Sequence, residues 1–329
     1  MDRTIFDPFI EQIGTLSPGQ WKALNKHLEH AEQRRQVCAF LEAARLHGLH
    51  CPRCRGTHFH RHGVAHGLLR YRCAACSRSF NVLSGTPLAR LRKRELWPGY
   101  AGCMLASCTV RRAATTVGVH RNTSFRWRHR MLDGARHDRV EPLSGMVEAD
   151  EMYILESQKG SRRLTRPPRR RGGHARRRGI SREHDCILVA RDRAGRTLDF
   201  VTGRAPLRCA HLERCLSGHI AADGTLVSDS HAADTLFAQR ARLKHKTVTL
   251  RAGVRAGVRV DGDIHVQNVN AYHSRFRRWL VRFHGVASKY LPNYLGWHWA
   301  IDGERIGSQW DFIKAIFRCK EPAPHLPVT

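Results

Sequence analysis

Two sets of side chains in this sequence can do chemistry: four cysteines in two tight pairs, and aspartates seated in apolar strands. Cys51-Pro-Arg-Cys54 and Cys73-Ala-Ala-Cys76 are Cys-x-x-Cys knuckles separated by eighteen residues. Each knuckle sets two thiolates on one turn, and two such turns close a tetrahedral zinc–sulfur shell. The second pair follows Leu-Leu-Arg-Tyr-Arg and precedes Ser-Arg-Ser-Phe-Asn-Val, the strand-turn-strand setting of a zinc ribbon. A redox pair, or a ligand drawn from His58, His60, His62 or His66, competes with this reading, but four thiolates already suffice. A closed shell leaves no open position for catalysis, so the Zn2+ expected here is structural. The other seven cysteines are scattered and read as small buried thiols.

The carboxylates point to a different metal chemistry. Asp150 lies within the apolar run Met146-Val-Glu-Ala-Asp-Glu-Met-Tyr-Ile, and Asp229 closes Thr225-Leu-Val-Ser-Asp. A carboxylate in such a place is costly unless it meets a cation or another partner. Metal-assisted phosphoryl transfer requires carboxylates from distant parts of a chain to converge on divalent ions. Taken singly, either aspartate also reads as an ordinary strand-end residue. Glu148 shares a strand face with Asp150 by period two and is a candidate to support it. Asp261 and Asp263 sit in a glycine turn and read as solvated.

The elements that position these groups follow from pattern. Residues 1–50 read as helical, with Ser17-Pro18 starting a helix whose apolar residues Trp21, Leu24 and Leu28 recur at helical spacing. Residues 51–80 form the ribbon. Residues 90–135 read as a helix-turn-helix: Glu95 to Cys108, then a helix capped by Thr109, a turn at Gly118, and a third helix from His120. Ala113, Ala114, Val119, Phe125 and Leu132 are its expected contacts, and Arg121, Asn122, Ser124, Arg126 and Arg128 its expected groove-facing side chains. Residues 145–315 alternate strands and helices as an α/β domain. The insertion at 157–184, dense in Arg and Gly, cannot build a core; it reads as a mobile arm suited to gripping phosphates.

Charge narrows the partner. Lys and Arg number 57 against 28 Asp and Glu, a formal net charge of +29. Repulsion on that scale is tolerable when the usual partner is a polyanion. No stretch resembles a transmembrane span or a basic amphipathic helix, so a membrane partner is not expected. The opening segment lacks the basic start and apolar run of a secretory signal, and the expected location is cytoplasmic, with the nucleoid.

The order of ribbon, helix-turn-helix, VEADEMYILESQKG, LVSDSHA and HVQNVNAYHSRFRRWLVRFHGVASKYLPNYLGWHW resembles bacterial insertion-sequence transposases of the zinc-ribbon DDE type, from about residue 10 to about residue 315. The resemblance implies an RNase H-like mixed sheet flanked by helices, two Mg2+ or Mn2+ ions, and cleavage and joining of transposon ends. Asp150 and Asp229 match the family's first two catalytic aspartates. At the third position, where many relatives carry Glu, this chain has Asn270. Its amide oxygen can ligate a hard cation without contributing negative charge. His273, one turn further along, and His231 are candidate neighbours of the site. Arg275, Arg277, Arg278, Arg282 and Lys289 are expected to hold DNA backbone. The partners implied are double-stranded transposon ends and target DNA, with assembly as at least a homodimer. Two alternatives remain: a transposase-derived regulator that has lost catalysis, and an RNase H-like nuclease without strand transfer.

Overall fold

A computed structural model describes residues 3–135, 142–170, 172–229, 231–248, 260–261, 263–303 and 305–316. The chain divides into two compact units, residues 1–131 with 308–317, and residues 132–307 with 318–329.

The first unit opens with α1 (Arg3–Ile13) and α2 (Pro18–Leu46). Ser17 caps α2 reciprocally: its Oγ accepts from Gln20 N, and Gln20 Oε1 accepts from Ser17 N. Only Val37, Cys38 and Leu41 of α2 are buried. Trp21 and Leu28, whose spacing predicts a core-facing stripe, are 41% and 55% exposed.

The ribbon follows as an antiparallel sheet of β1 (Phe59–Ala65), β2 (Leu68–Cys73) and β3 (Ser79–Phe80). Phe59, Tyr71 and Phe80 pack against one another with ring centroids 5.2–5.8 Å apart. Each knuckle closes on a residue in the left-handed region, Arg55 and Ser77, whose N–H groups donate to Cys51 O and Cys73 O. The four Sγ atoms lie within 4.8 Å of one another, with Cys51–Cys76 at 3.6 Å and Cys54–Cys73 at 3.5 Å. Tetrahedral zinc with bonds of about 2.3 Å has S···S edges of about 3.8 Å, so these four thiols fit it. Backbone N–H donation, first from Cys54, already brings the Cys51 thiol down to about 6.

Three helices complete the N-terminal unit's sequence run: α3 (Trp97–Leu105), α4 (Val110–Val117) and α5 (Arg121–Ala135). Thr109 Oγ1 accepts from Arg112 N to start α4, and Gly118, at φ +66°, ends it. Trp97, Tyr100, Met104, Trp127 and Met131 are buried between the helices, with Tyr100 edge-on to Trp127 at 5.3 Å. Phe125 departs from its expected core role and is 42% exposed. Trp127 and Arg128 occupy the inward phase of α5 in its place.

The second unit is built on β4 (Met146–Leu155), β5 (His184–Asp192), β6 (Thr197–Arg204), β7 (Thr225–Asp229) and β8 (Lys244–Val248), in the sheet order β6-β5-β4-β7-β8. The first three strands in sequence pair antiparallel, and β7 and β8 run parallel to β4. This is the mixed sheet expected of an RNase H-like domain. α6 (Cys209–Leu216) and α7 (Ala232–Ala241) pack with Val147, Ala149, Leu188, Leu198, Leu226 and their neighbours on one face. A short hairpin, β9 (Val260–Asp261) and β10 (Ile264–His265), leads into α8 (Gln267–Val281) and then α9 (Leu291–Asp302), which pack against β4, β5 and β6. α10 (Gln309–Ala315) belongs to the first unit and packs against α3. No described helix is long and apolar enough to cross a membrane.

The described residues of the insertion are coil and make specific contacts. Arg166 Nε donates to Glu156 Oε2 at 2.7 Å, Arg169 Nη2 reaches Glu183 Oε1 at 3.0 Å, and Lys159 Nζ donates to the carbonyls of His284 and Gly285. Buried Glu156 is the anchor, and its carboxyl is held below the usual range by its arginine partners against the effect of burial.

The zinc fit yields a direct expectation. Purified protein should carry one tightly bound zinc, and Cys73→Ser should lose it and open residues 51–80 to proteolysis, because a structural zinc supplies folding energy outright. A zinc-free chain that stays resistant in that segment would contradict this.

Candidate active site

The strand β4 places the central residues. Alternation along it turns Val147 and Ala149 toward α6 and α7, and Glu148 and Asp150 toward the face carrying α8. The pairing of β4 with β7 reaches Glu148–Val227, and the next residue of the same facing on each strand is Asp150 and Asp229. Both aspartates are half-buried.

Glu148 brings the third element to this face. It is fully buried, and its carboxylate accepts from Asn268 N at 2.8 Å, Val269 N at 3.1 Å and Asn268 Nδ2 at 2.7 Å. Val266, at the N-cap of α8, makes no side-chain cap. Glu148 therefore caps α8 from a strand 120 residues earlier, where a negative charge meets unpaired N–H groups and the positive end of the helix. Arg193 Nη1 lies 2.8 Å from Glu148 Oε1, and His265 Nδ1 lies 3.3 Å from it. Asn270 follows within the same first turns of α8 and is exposed.

Further along, α8 and α9 are fixed by polar contacts. Tyr272 donates to Asp199 Oδ2, Arg275 binds Asp302 through Nε and Nη2, and Trp299 Nε1 donates to Thr197 O. Tyr272, Phe276, Trp279, Phe283, Tyr294 and Trp297 are buried aromatic packing, as helical spacing predicts.

Several carboxyl groups interact at this end of the sheet. Asp234 of α7 is 2% exposed, and its carboxyl is pushed up to about 8 by burial and then by the charges of Glu151, Asp229 and Asp150. Glu151 is also raised, by burial and then by Asp229. Carboxylate and amide oxygens are the donors that a hard divalent cation prefers. Among the described residues, the cysteines are the only cluster of three or more His, Cys, Asp or Glu ligand atoms within 4.8 Å. The candidate here is a different set: two carboxylates with one amide.

The remaining predicted residues separate into exposed and committed groups. Arg121, Asn122 and Arg126 are exposed on α5, whereas Ser124 and Arg128 are interior. Ser124 Oγ donates to Val110 O, and Arg128 Nη2 donates to Cys108 O, so both brace the helices. Arg277, Arg278 and Lys289 are exposed, while Arg275 is tied up by Asp302. His231 caps α7, its Nδ1 accepting from Ala233 N. His273 is buried, and burial followed by Arg277 brings its ring down to about 4. Arg193, His265 and Asn268 were not legible as a set, because nothing in their spacing points to Glu148.

The comparisons bear on this geometry. Residues 142–297 match the ISXO2-like transposase domain. That span contains Asp150, Asp229, Asn270 and Glu148 with its partners. A Halobacterium salinarum protein described as an uncharacterized protein in transposable element ISH50 is 27% identical over 267 residues, covering 80% of this chain and 88% of that protein. The similarity thus extends beyond the catalytic-type domain into the N-terminal modules.

Removing the cap should be costly. Glu148→Ala leaves Arg193 and the first N–H groups of α8 facing a buried void, and should lower stability by about 3–5 kcal/mol in urea unfolding. A loss below about 1 kcal/mol would mean that apolar packing alone holds α8 in place.

Proposed function

We propose that this chain is a DNA transposase of an insertion sequence, cleaving and joining element ends at a site formed by Asp150, Asp229 and Asn270. The observation that carries the reading is the placement of Asp150 and Asp229 with the same facing on neighbouring strands. The helix bearing Asn270 is capped onto the same strand face by Glu148, all inside the transposase-like span.

The donor set, carboxylate and amide oxygens, fits Mg2+ or Mn2+. Divalent ions bound there would supply an activated water or 3′-hydroxyl and stabilise the leaving oxygen. The protein's own groups do the rest. Asp150 and Asp229 would be the anionic ligands, and Asn270 would donate an uncharged oxygen. Arg277, Arg278 and Lys289, exposed on and after α8, would hold the phosphate backbone. Arg121, Asn122 and Arg126 of α5 would read the ends in the major groove, while the ribbon and the exposed arginines of the insertion add phosphate contacts. Pairing of two ends implies at least a homodimer on DNA.

Asn270 also favours a second reading, a DNA-binding regulator descended from a transposase, because an amide adds no charge to the site. Strand cleavage and joining on duplexes carrying the element's ends, with Mg2+ or Mn2+, separates the two. Wild type should cut and join; Asp150→Ala should abolish both, by at least about a thousandfold if the metal ligand is lost. Asn270→Ala should lower the rate strongly with end binding retained. Tight, specific binding by wild type without any cutting would replace the transposase with the regulator.

A further inference from the structure

The phase of α5 singles out an aromatic side chain at the edge of its exposed face. Ser124, Trp127, Arg128 and Met131 turn inward, leaving Arg121, Asn122, Phe125 and Arg126 on the outer face. Phe125 is 42% exposed, with its ring edge-on to His129 at a centroid distance of 4.5 Å. A lone exposed aromatic is not unusual on a protein surface. This one stands one turn into the helix that follows a helix-turn, the part of such a helix that reaches base edges. From residue 97 to residue 132 there is no Asp or Glu, while Arg111, Arg112, Arg121 and Arg126 are exposed on α4 and α5. The surface around the ring is therefore complementary to a polyanion.

We infer that Phe125 is a specificity-determining residue that packs against the 5-methyl group of a thymine in the major groove. Thymine alone among the four bases offers an apolar group there, and Phe is one of the side chains suited to it. Asn122 and Arg126, flanking it on the same face, carry the donors and acceptors that read adenine and guanine edges. The inference rests on the reading that α5 binds the element's ends, and is independent of whether the chain cuts them.

The experiment uses the full-length zinc-loaded chain and duplexes of the DNA flanking its gene, in which each dT is replaced singly by dU. The replacement removes only the methyl group. At one or two positions wild type should bind about fourfold more weakly, the value of one buried methyl. Phe125→Ala should bind the parent duplex more weakly and be indifferent to dU at those positions. Its zinc content should match wild type, and its melting temperature should fall by no more than a few degrees, since the ring is only half-buried. Specific wild-type binding with no dU-sensitive position would overturn the inference, as would a dU penalty that persists in Phe125→Ala. If wild type fails to prefer flanking DNA over a scrambled duplex, the DNA-reading role of α5 falls with it.

Discussion

The buried carboxylate of Glu148 is the constraint on which the second unit's geometry turns. It sits on the central strand with no exposure, and a lone carboxylate there would cost several kcal/mol. The cost is offset by Arg193 and by three donors at the start of α8. Because those donors are mainly backbone N–H groups, the interaction fixes the position of the helix terminus and not merely of one side chain. Two residues along the strand stands Asp150, and two residues beyond Asn268 stands Asn270. One buried carboxylate, through the donors at the start of α8, thus sets the approach of two chain segments that carry the candidate site.

This arrangement gives a physical meaning to a chemically weak third position. An amide binds a hard cation less strongly than a carboxylate, since it contributes no charge. Near it, burial and then the neighbouring carboxylates make Glu151 and Asp234 resist ionisation. On the same helix, Arg275 is committed to Asp302, whereas Arg277 and Arg278 face outward. A basic sequence does not make every arginine a DNA contact.

Much of this was legible in the residues. The two knuckles, the Thr109 cap, the Gly118 turn and the strand placement of Asp150 and Asp229 all follow from local spacing, and local spacing is what those features depend on. The failures share a cause as well. Helical spacing puts Phe125 in the core and Arg128 in the groove, but apolar-in, polar-out fails where a guanidinium reaches a buried carbonyl, here Cys108 O. Composition does not disclose that Glu156, just before the insertion, gathers Arg166 and Arg169. Trp21 and Leu28 keep helical spacing yet stay exposed, since periodicity states which face is apolar and not what covers it. The capping of α8 by Glu148 joins residues 120 apart, and no pattern within a single segment encodes it.

The most direct test of the account is anomalous scattering from Mn2+ in crystals of the protein bound to its end DNA. The account predicts manganese held by Asp150, Asp229 and Asn270. Density only at the four cysteines, or manganese held without Asp150 and Asn270, would contradict it.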